Sequence, residues 1–166
     1  MASSRRGMTV LSYLTSLAAL CIGLGYLDAV ASFYMRGTLE VAQEGGDFAR
    51  AVVEAMPART VALEQTRQAA TVLLLITVAV IAGRNPRQQW GTFLCALGSW
   101  LVLRYAAIRT ITDWPESLSS TDALMLGPHP IYAPVWLVLI AGMALAALGV
   151  TLIRAGALAL RRRSSA

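Results

Sequence analysis

The residues able to do chemistry are few, and they gather near one end of otherwise apolar runs. Asp28 and Ser32 come first, then Glu64, Arg67, Gln68 and Thr71, then Arg104, Tyr105 and Arg109. Glu64, Arg67, Gln68 and Thr71 are spaced three and four apart and so share one helix face. Cys21, Gly25, Asp28 and Ser32 do the same on an earlier helix. Charges at this depth in apolar sequence are expected to face one another or a wet cavity, not lipid. The natural grouping is Arg67 and Arg104 with Asp28 and Glu64, and Gln68 and Arg109 complete the candidate polar cavity. Such a network could bind an anionic or zwitterionic head group, relay protons, or lock the helices as a structural ion-pair cluster. The near balance of charge favours the lock. Arg104 lies about two turns in from its helix end, too deep to reach water without pairing or snorkelling, whereas Arg109 and Asp28 are close enough to snorkel.

Other chemistry is poorly supplied. His129 is the single histidine and stands between Pro128 and Pro130. It could ligate a haem or chlorin, carry a proton, or serve as an interfacial polar residue, and the last is the simplest. Haem would need a second ligand such as Met125, and no Cys-x-x-Cys-His is present. No second histidine or placed base accompanies any serine, so no nucleophile–base pair is legible. Gly45-Gly46 lacks the Lys-Ser/Thr that follows in a phosphate loop. Cys21 and Cys95 lie in apolar runs without Cys-x-x-Cys spacing, and one histidine with no Cys/His cluster does not build a zinc site. The expectation is therefore no catalytic residue, no metal and no cofactor, with His129 the one weak candidate for holding a group.

The elements that must position these residues are membrane helices. Of the 166 residues, 57% are hydrophobic and 14% charged, and the mean hydropathy is +0.60. A soluble domain needs more polar surface than this. The expected fold is all-α, a four-helix transmembrane bundle in a single domain, with spans near 9–31, 64–83, 90–111 and 131–153. Each is long enough, at 1.5 Å per residue, for a hydrocarbon core of ~30 Å. The clean apolar part of the second, Ala69 to Gly83, covers only about two thirds of that thickness, which draws Glu64, Gln65, Arg67 and Gln68 into the bilayer.

Arginine placement sets the direction. There is no lysine, and eight of the 14 arginines (Arg5, Arg6, Arg84, Arg87, Arg154 and Arg161 to Arg163) flank the spans on one side. The opposite loops hold Glu40, Glu44, Asp47, Glu54, Asp113, Glu116 and Asp122. Both termini are thus expected in the cytoplasm of a bacterial inner membrane, and the net charge of +5 is a topology signal, not a nucleic-acid footprint. Arg5-Arg6, an apolar run and Ala29-Val30-Ala31 also resemble a secretory signal. The length of the run and Asp28 beside the cleavage point argue that residues 1–31 are retained.

Short interfacial helices are expected on the outer, periplasmic side. Asp47 can cap an amphipathic helix over 48–56 that ends at Pro57, with Phe48, Ala51, Val52, Ala55 and Met56 on one face. In the outer loop 112–130, Asp113-Trp114-Pro115-Glu116 reads as a helix start, and Ser119 with Asp122 as a second one closing at Gly127. Small residues that let helices approach are Cys21, Gly25 and Ala29, then Ala79 and Gly83, then Gly91, Cys95 and Ser99, then Gly142 and Ala146.

The stretch Asp113-Trp114-Pro115-Glu116-Ser117-Leu118, with Asp122 to Leu126 and Pro128-His129-Pro130 to Pro134-Val135-Trp136, resembles an uncharacterised group of bacterial four-helix integral membrane proteins. Arg67-Gln68-Ala69-Ala70-Thr71 resembles them too. The resemblance covers roughly the second half of the chain and implies the four-span topology but no activity. The expected function is a small non-enzymatic subunit or accessory protein, its partners the bilayer and another membrane protein or further copies of itself. A small carrier or ligand-binding protein using the polar cavity is the alternative. An outer-leaflet lipid-modifying enzyme, with His129 and Asp113 or Glu116, ranks third. A reporter active only outside the cytoplasm should be active when fused after Gly46 or Ser120 and silent after Asn85 or Ala166; activity at Asn85 would overturn the topology.

Overall fold

The structure, a computed structural model, describes residues 10–37, 48–125 and 130–164. Its elements are α1 (Val10–Gly37), α2 (Phe48–Ala55), α3 (Ala58–Ala82), α4 (Pro86–Thr112), β1 (Thr121–Met125), β2 (Ile131–Pro134) and α5 (Val135–Ser164). The fold is mostly helical, and four segments are long and apolar enough to cross a membrane: Val10–Tyr34, Ala58–Ala82, Pro86–Thr112 and Val135–Leu160. α4 is the centre. Half of its most apolar stretch is buried inside the chain, against 17–22% for the other three helices. α5, α1 and α3 pack on it.

The sequence explains the breaks. Pro57 precedes α3 with an extended ψ of 143°, and Gly83 closes it. Asn85 caps α4, its side chain accepting from the Gln88 N–H at 2.9 Å, with Pro86 placed where a missing N–H removes nothing. At the other end Asp113 takes a left-handed conformation, φ 55°, which a short polar side chain tolerates.

α4 and α5 touch backbone to backbone. A Cβ added at Gly98 would fall on the Gly142 carbonyl and the Ala146 N–H, and one added at Gly149 on Cys95 and Gly91. Gly91 and Gly98 are seven apart, as are Gly142, Gly149 and Gly156, so one glycine comes to the seam every two turns. Of the small residues expected on these helices, Gly91, Cys95, Gly142 and Ala146 are at the contact, joined by Gly98 and Gly149. α1 crosses α4 at Gly25, whose Cβ would stand 3.0 Å from the Arg104 nitrogen. Gly83 abuts Gln89 in the turn between α3 and α4 and does not serve as a helix face.

The all-α expectation fails in the 112–130 loop. The helix starts read at Asp113 and Ser119 do not form: Asp113 ends α4, and Thr121–Met125 pairs antiparallel with Ile131–Pro134. The register sets Thr121 opposite Pro134, Asp122 opposite Ala133 and Ala123 opposite Tyr132, with a shift before Met125. Pairing wins because the loop has the first turn of α5 to satisfy. Carbonyls of Ser120 and Leu118 accept the N–H groups of Val135 and Trp136 at 2.9 Å each. The last helix consequently begins at Val135, not Ile131. α2 forms over Phe48–Ala55 and touches β1, with Arg50 over the Tyr132 ring at 5.4 Å. The Asp47 cap, Gly127 and the side chains of Phe48 and Ala51 lie outside the described residues.

Gly98→Ala should therefore lower stability in detergent by about 1–3 kcal/mol through overpacking. Gly23→Ala, at a glycine with nothing within 4 Å of an added Cβ, should be neutral or stabilising. Thermal melts of the two purified variants make the comparison.

Candidate functional site

The polar residues converge where α1, α3, α4 and β1 meet. Glu64 and Arg67 lie one turn apart on α3, and two parallel bonds join them: Nε of Arg67 donates to Oε2 of Glu64 at 2.7 Å, and Nη2 to Oε1. Gln68 Nε2 adds a bond to Glu64 Oε1 at 3.1 Å. Nη1 of Arg67 reaches across to Oδ1 of Asp28 on α1. The other oxygen of Asp28 stands 3.5 Å from Nε of Arg104 on α4. Arg104 Nη2 is in turn 3.5 Å from Oδ2 of Asp122 on β1, which also accepts from the Tyr105 hydroxyl at 2.8 Å.

The result is a chain of alternating sign, Glu64–Arg67–Asp28–Arg104–Asp122, with three acids, two guanidiniums and a formal charge of −1. It is dry. Asp28, Glu64, Arg104 and Asp122 are 4–8% exposed, and only Arg67, with 25% of its side chain exposed, opens outward. Buried charges are tolerated when paired and hydrogen-bonded. Glu64 and Arg67 satisfy that condition fully. The link between Asp28 and Arg104 does not, since Asp28 Oδ2 and Arg104 Nε have no hydrogen-bond partner. The guanidinium of Arg104 lies 5.6 Å from the Tyr105 ring, and that ring rests 6.2 Å from Trp114.

Of the residues anticipated here, Asp28, Glu64, Arg67, Gln68 and Arg104 come together. Arg109 does not. It bonds the carbonyls of Asp113 and Pro115, the latter at 3.2 Å, and so ties the loop to the end of α4. Thr71 turns back to the Arg67 carbonyl at 3.1 Å. Ser32 is buried at 6% exposure on the Asp28 face. His129 lies outside the described residues. The site also recruits Asp122 and Tyr105. Asp122 had been read as a helix cap, and no signal asked for it: Asp28 and Glu64 already balance Arg67 and Arg104, and only hairpin formation carries Asp122 to α4. Among the described residues no group of His, Cys, Asp or Glu side chains is placed to hold a metal ion.

Comparison with protein families, with curated proteins and with solved structures returns no match for this chain.

As an assembly the alternating chain ties three helices and the hairpin to one another, and each guanidinium sits between two carboxylates. Arg104→Ala removes the cation between two buried acids, leaving Asp28 only Arg67 and Asp122 only the Tyr105 hydroxyl, and should destabilise the protein in detergent by about 3–5 kcal/mol. The double variant Arg104→Ala with Asp122→Ala should recover part of that loss, the mark of a coupled pair. A double-variant melt equal to the sum of the single losses would break the link between them.

Proposed function

We propose that this chain is a four-span protein of the bacterial inner membrane with both termini in the cytoplasm, acting as a non-enzymatic accessory subunit that pairs with another membrane helix. The alternating arginine flanks support the orientation. The loop's resemblance to bacterial four-helix membrane proteins supports the four-span topology. In that setting α2 lies on the outer interface and covers the hairpin.

One observation carries the subunit reading: α1 has a second small-residue face that the fold leaves open. Cys21, Gly25 and Ala29 are spent on packing inside the chain. Thr15, Ser16, Ala19 and Gly23 sit on the other side, all exposed, and Gly23 has nothing within 4 Å of an added Cβ. The hydroxyls of Thr15 and Ser16 bond the Ser12 carbonyl at 2.9 and 3.0 Å, so the face is flat and its hydroxyl donors are met. Close approach through such faces drives helix association in lipid, where apolar area alone gives no attraction.

A second reading, a small carrier or ligand-binding protein, is favoured by the unbonded Asp28 Oδ2 and Arg104 Nε, which leave polar valence for a small polar guest. The complete pairing of Glu64 with Arg67 weighs toward the lock.

The test is Gly23→Leu. In mild detergent the unaltered protein should run as a complex larger than one 17.7 kDa chain, with a partner or with itself. The variant should run as a single chain with an unchanged melting temperature. A wild-type protein that is already a lone chain, or a variant that keeps its complex, sinks the reading.

A further inference from the structure

A groove opens at the end of the bundle opposite the ion-pair chain, between the first turns of α1 and the last turns of α5. It encloses about 420 Å³ and is lined by Val10, Leu11, Leu14, Arg154, Ala157 and Leu158. That volume falls within the ~300–1,000 Å³ of small-molecule sites. Five of the six lining residues are apolar. Arg154 is the single charge; it is exposed and makes no ion pair or hydrogen bond with the described residues.

We propose that this groove binds an anionic phospholipid, with the phosphate on Arg154 and the glycerol and upper acyl segments along the apolar wall. The proposal rests on the chain spanning a bilayer, and it concerns a different surface from the subunit contact on α1.

Depth supports it. Arg154 lies about 28 Å along α5 from Val135, at 1.5 Å per residue, which is close to the ~30 Å thickness of a hydrocarbon core. Trp90 stands at the same level, because its neighbour Gly91 faces Ile153, and it is 63% exposed, as a Trp of the interfacial belt would be. A guanidinium there is at the height of lipid phosphates.

Charge supports it more strongly. No carboxylate occurs in the sequence before Asp28, from Gly83 to Thr112, or after Val135. Among the described residues, Arg84, Arg87 and Arg154 therefore stand at this end without an acid of their own, while every described carboxylate lies in the opposite half. Their charge is met by anions of the surroundings, and at a membrane surface these are lipid head groups. Free phosphate would leave the apolar wall uncovered. A second copy docked in the same orientation would bring arginine against arginine. A cavity of about 380 Å³ on the other flank of α5, lined by Asn85, Pro86, Arg87, Ala159 and Leu160, repeats the pattern of one exposed arginine beside apolar side chains.

Native mass spectrometry of the full chain in detergent tests the site, with phosphatidylglycerol or phosphatidylcholine of identical acyl chains added. The unaltered protein should retain phosphatidylglycerol in preference. Arg154→Gln should weaken that retention about fivefold with an unchanged melting temperature. Leu14→Trp, which fills the groove and keeps the charge, should weaken retention of both lipids. Equal retention of the two lipids by the unaltered protein overturns the proposal, as does full retention by Arg154→Gln. Competition by inorganic phosphate as effective as by lipid would show an ion site and overturn the lipid groove. A chain that stays monodisperse in buffer without detergent would defeat the spanning reading itself, a failure distinct from loss of lipid preference.

Discussion

The backbones of α4 and α5 run in contact, and the rest of the structure hangs on that approach. Helices apolar enough to cross a membrane would gain nothing there by moving apolar side chains from lipid to protein, and dispersion between closely fitted surfaces would hold them together. Glycine every seventh residue on both helices removes the side chains that would keep the axes apart. With α5 held in this way, α4 becomes the post on which α1 and α3 are hung. Gly25 lets α1 press its backbone against α4 at Arg104, where the charged groups meet.

That crossing makes the ion-pair chain possible. Arg104, only 7% exposed, needs carboxylates on both sides, and Asp28 reaches it because α1 crosses so closely. Arg67 then serves the far oxygen of Asp28 while remaining bonded to Glu64 one turn away. Each acid needs a cation that belongs to a different element or a different turn. The network therefore specifies the relative rotation of the helices more than it adds to their stability, since buried ion pairs recover little beyond their desolvation. The two longer links, both made by Arg104 at 3.5 Å to Asp28 and to Asp122, mark where the arrangement has room to change.

Charge is also segregated along the bundle. Among the described residues, Asp28, Glu54, Glu64, Asp113, Glu116 and Asp122 lie in the half that holds the hairpin, α2 and the ion-pair chain, and Arg84, Arg87 and Arg154 lie at the other end without a carboxylate. The two ends thus present different chemistry: internal pairing at one, and cations open to external anions at the other.

Four long apolar helices and most residues of the polar cluster were legible in the amino-acid sequence. These follow from run length and from three- and four-residue spacing, both of which are local properties of the chain. Asp28, Glu64, Arg67, Gln68 and Arg104 were legible as one group because charge in an apolar run is costly enough to require partners. Tertiary structure alone decided the rest. Arg109 leaves the cluster because the left-handed Asp113 turns the loop carbonyls within its reach. Asp122 enters because Thr121–Met125 pairs with Ile131–Pro134, a non-local contact made while capping α5, and nothing in that segment's pattern distinguishes it from a helix. Which small residues face inward was likewise a matter of helix rotation. Gly98 and Gly149 belong to the seam and Gly23 does not, because rotation is set by what packs on the opposite side.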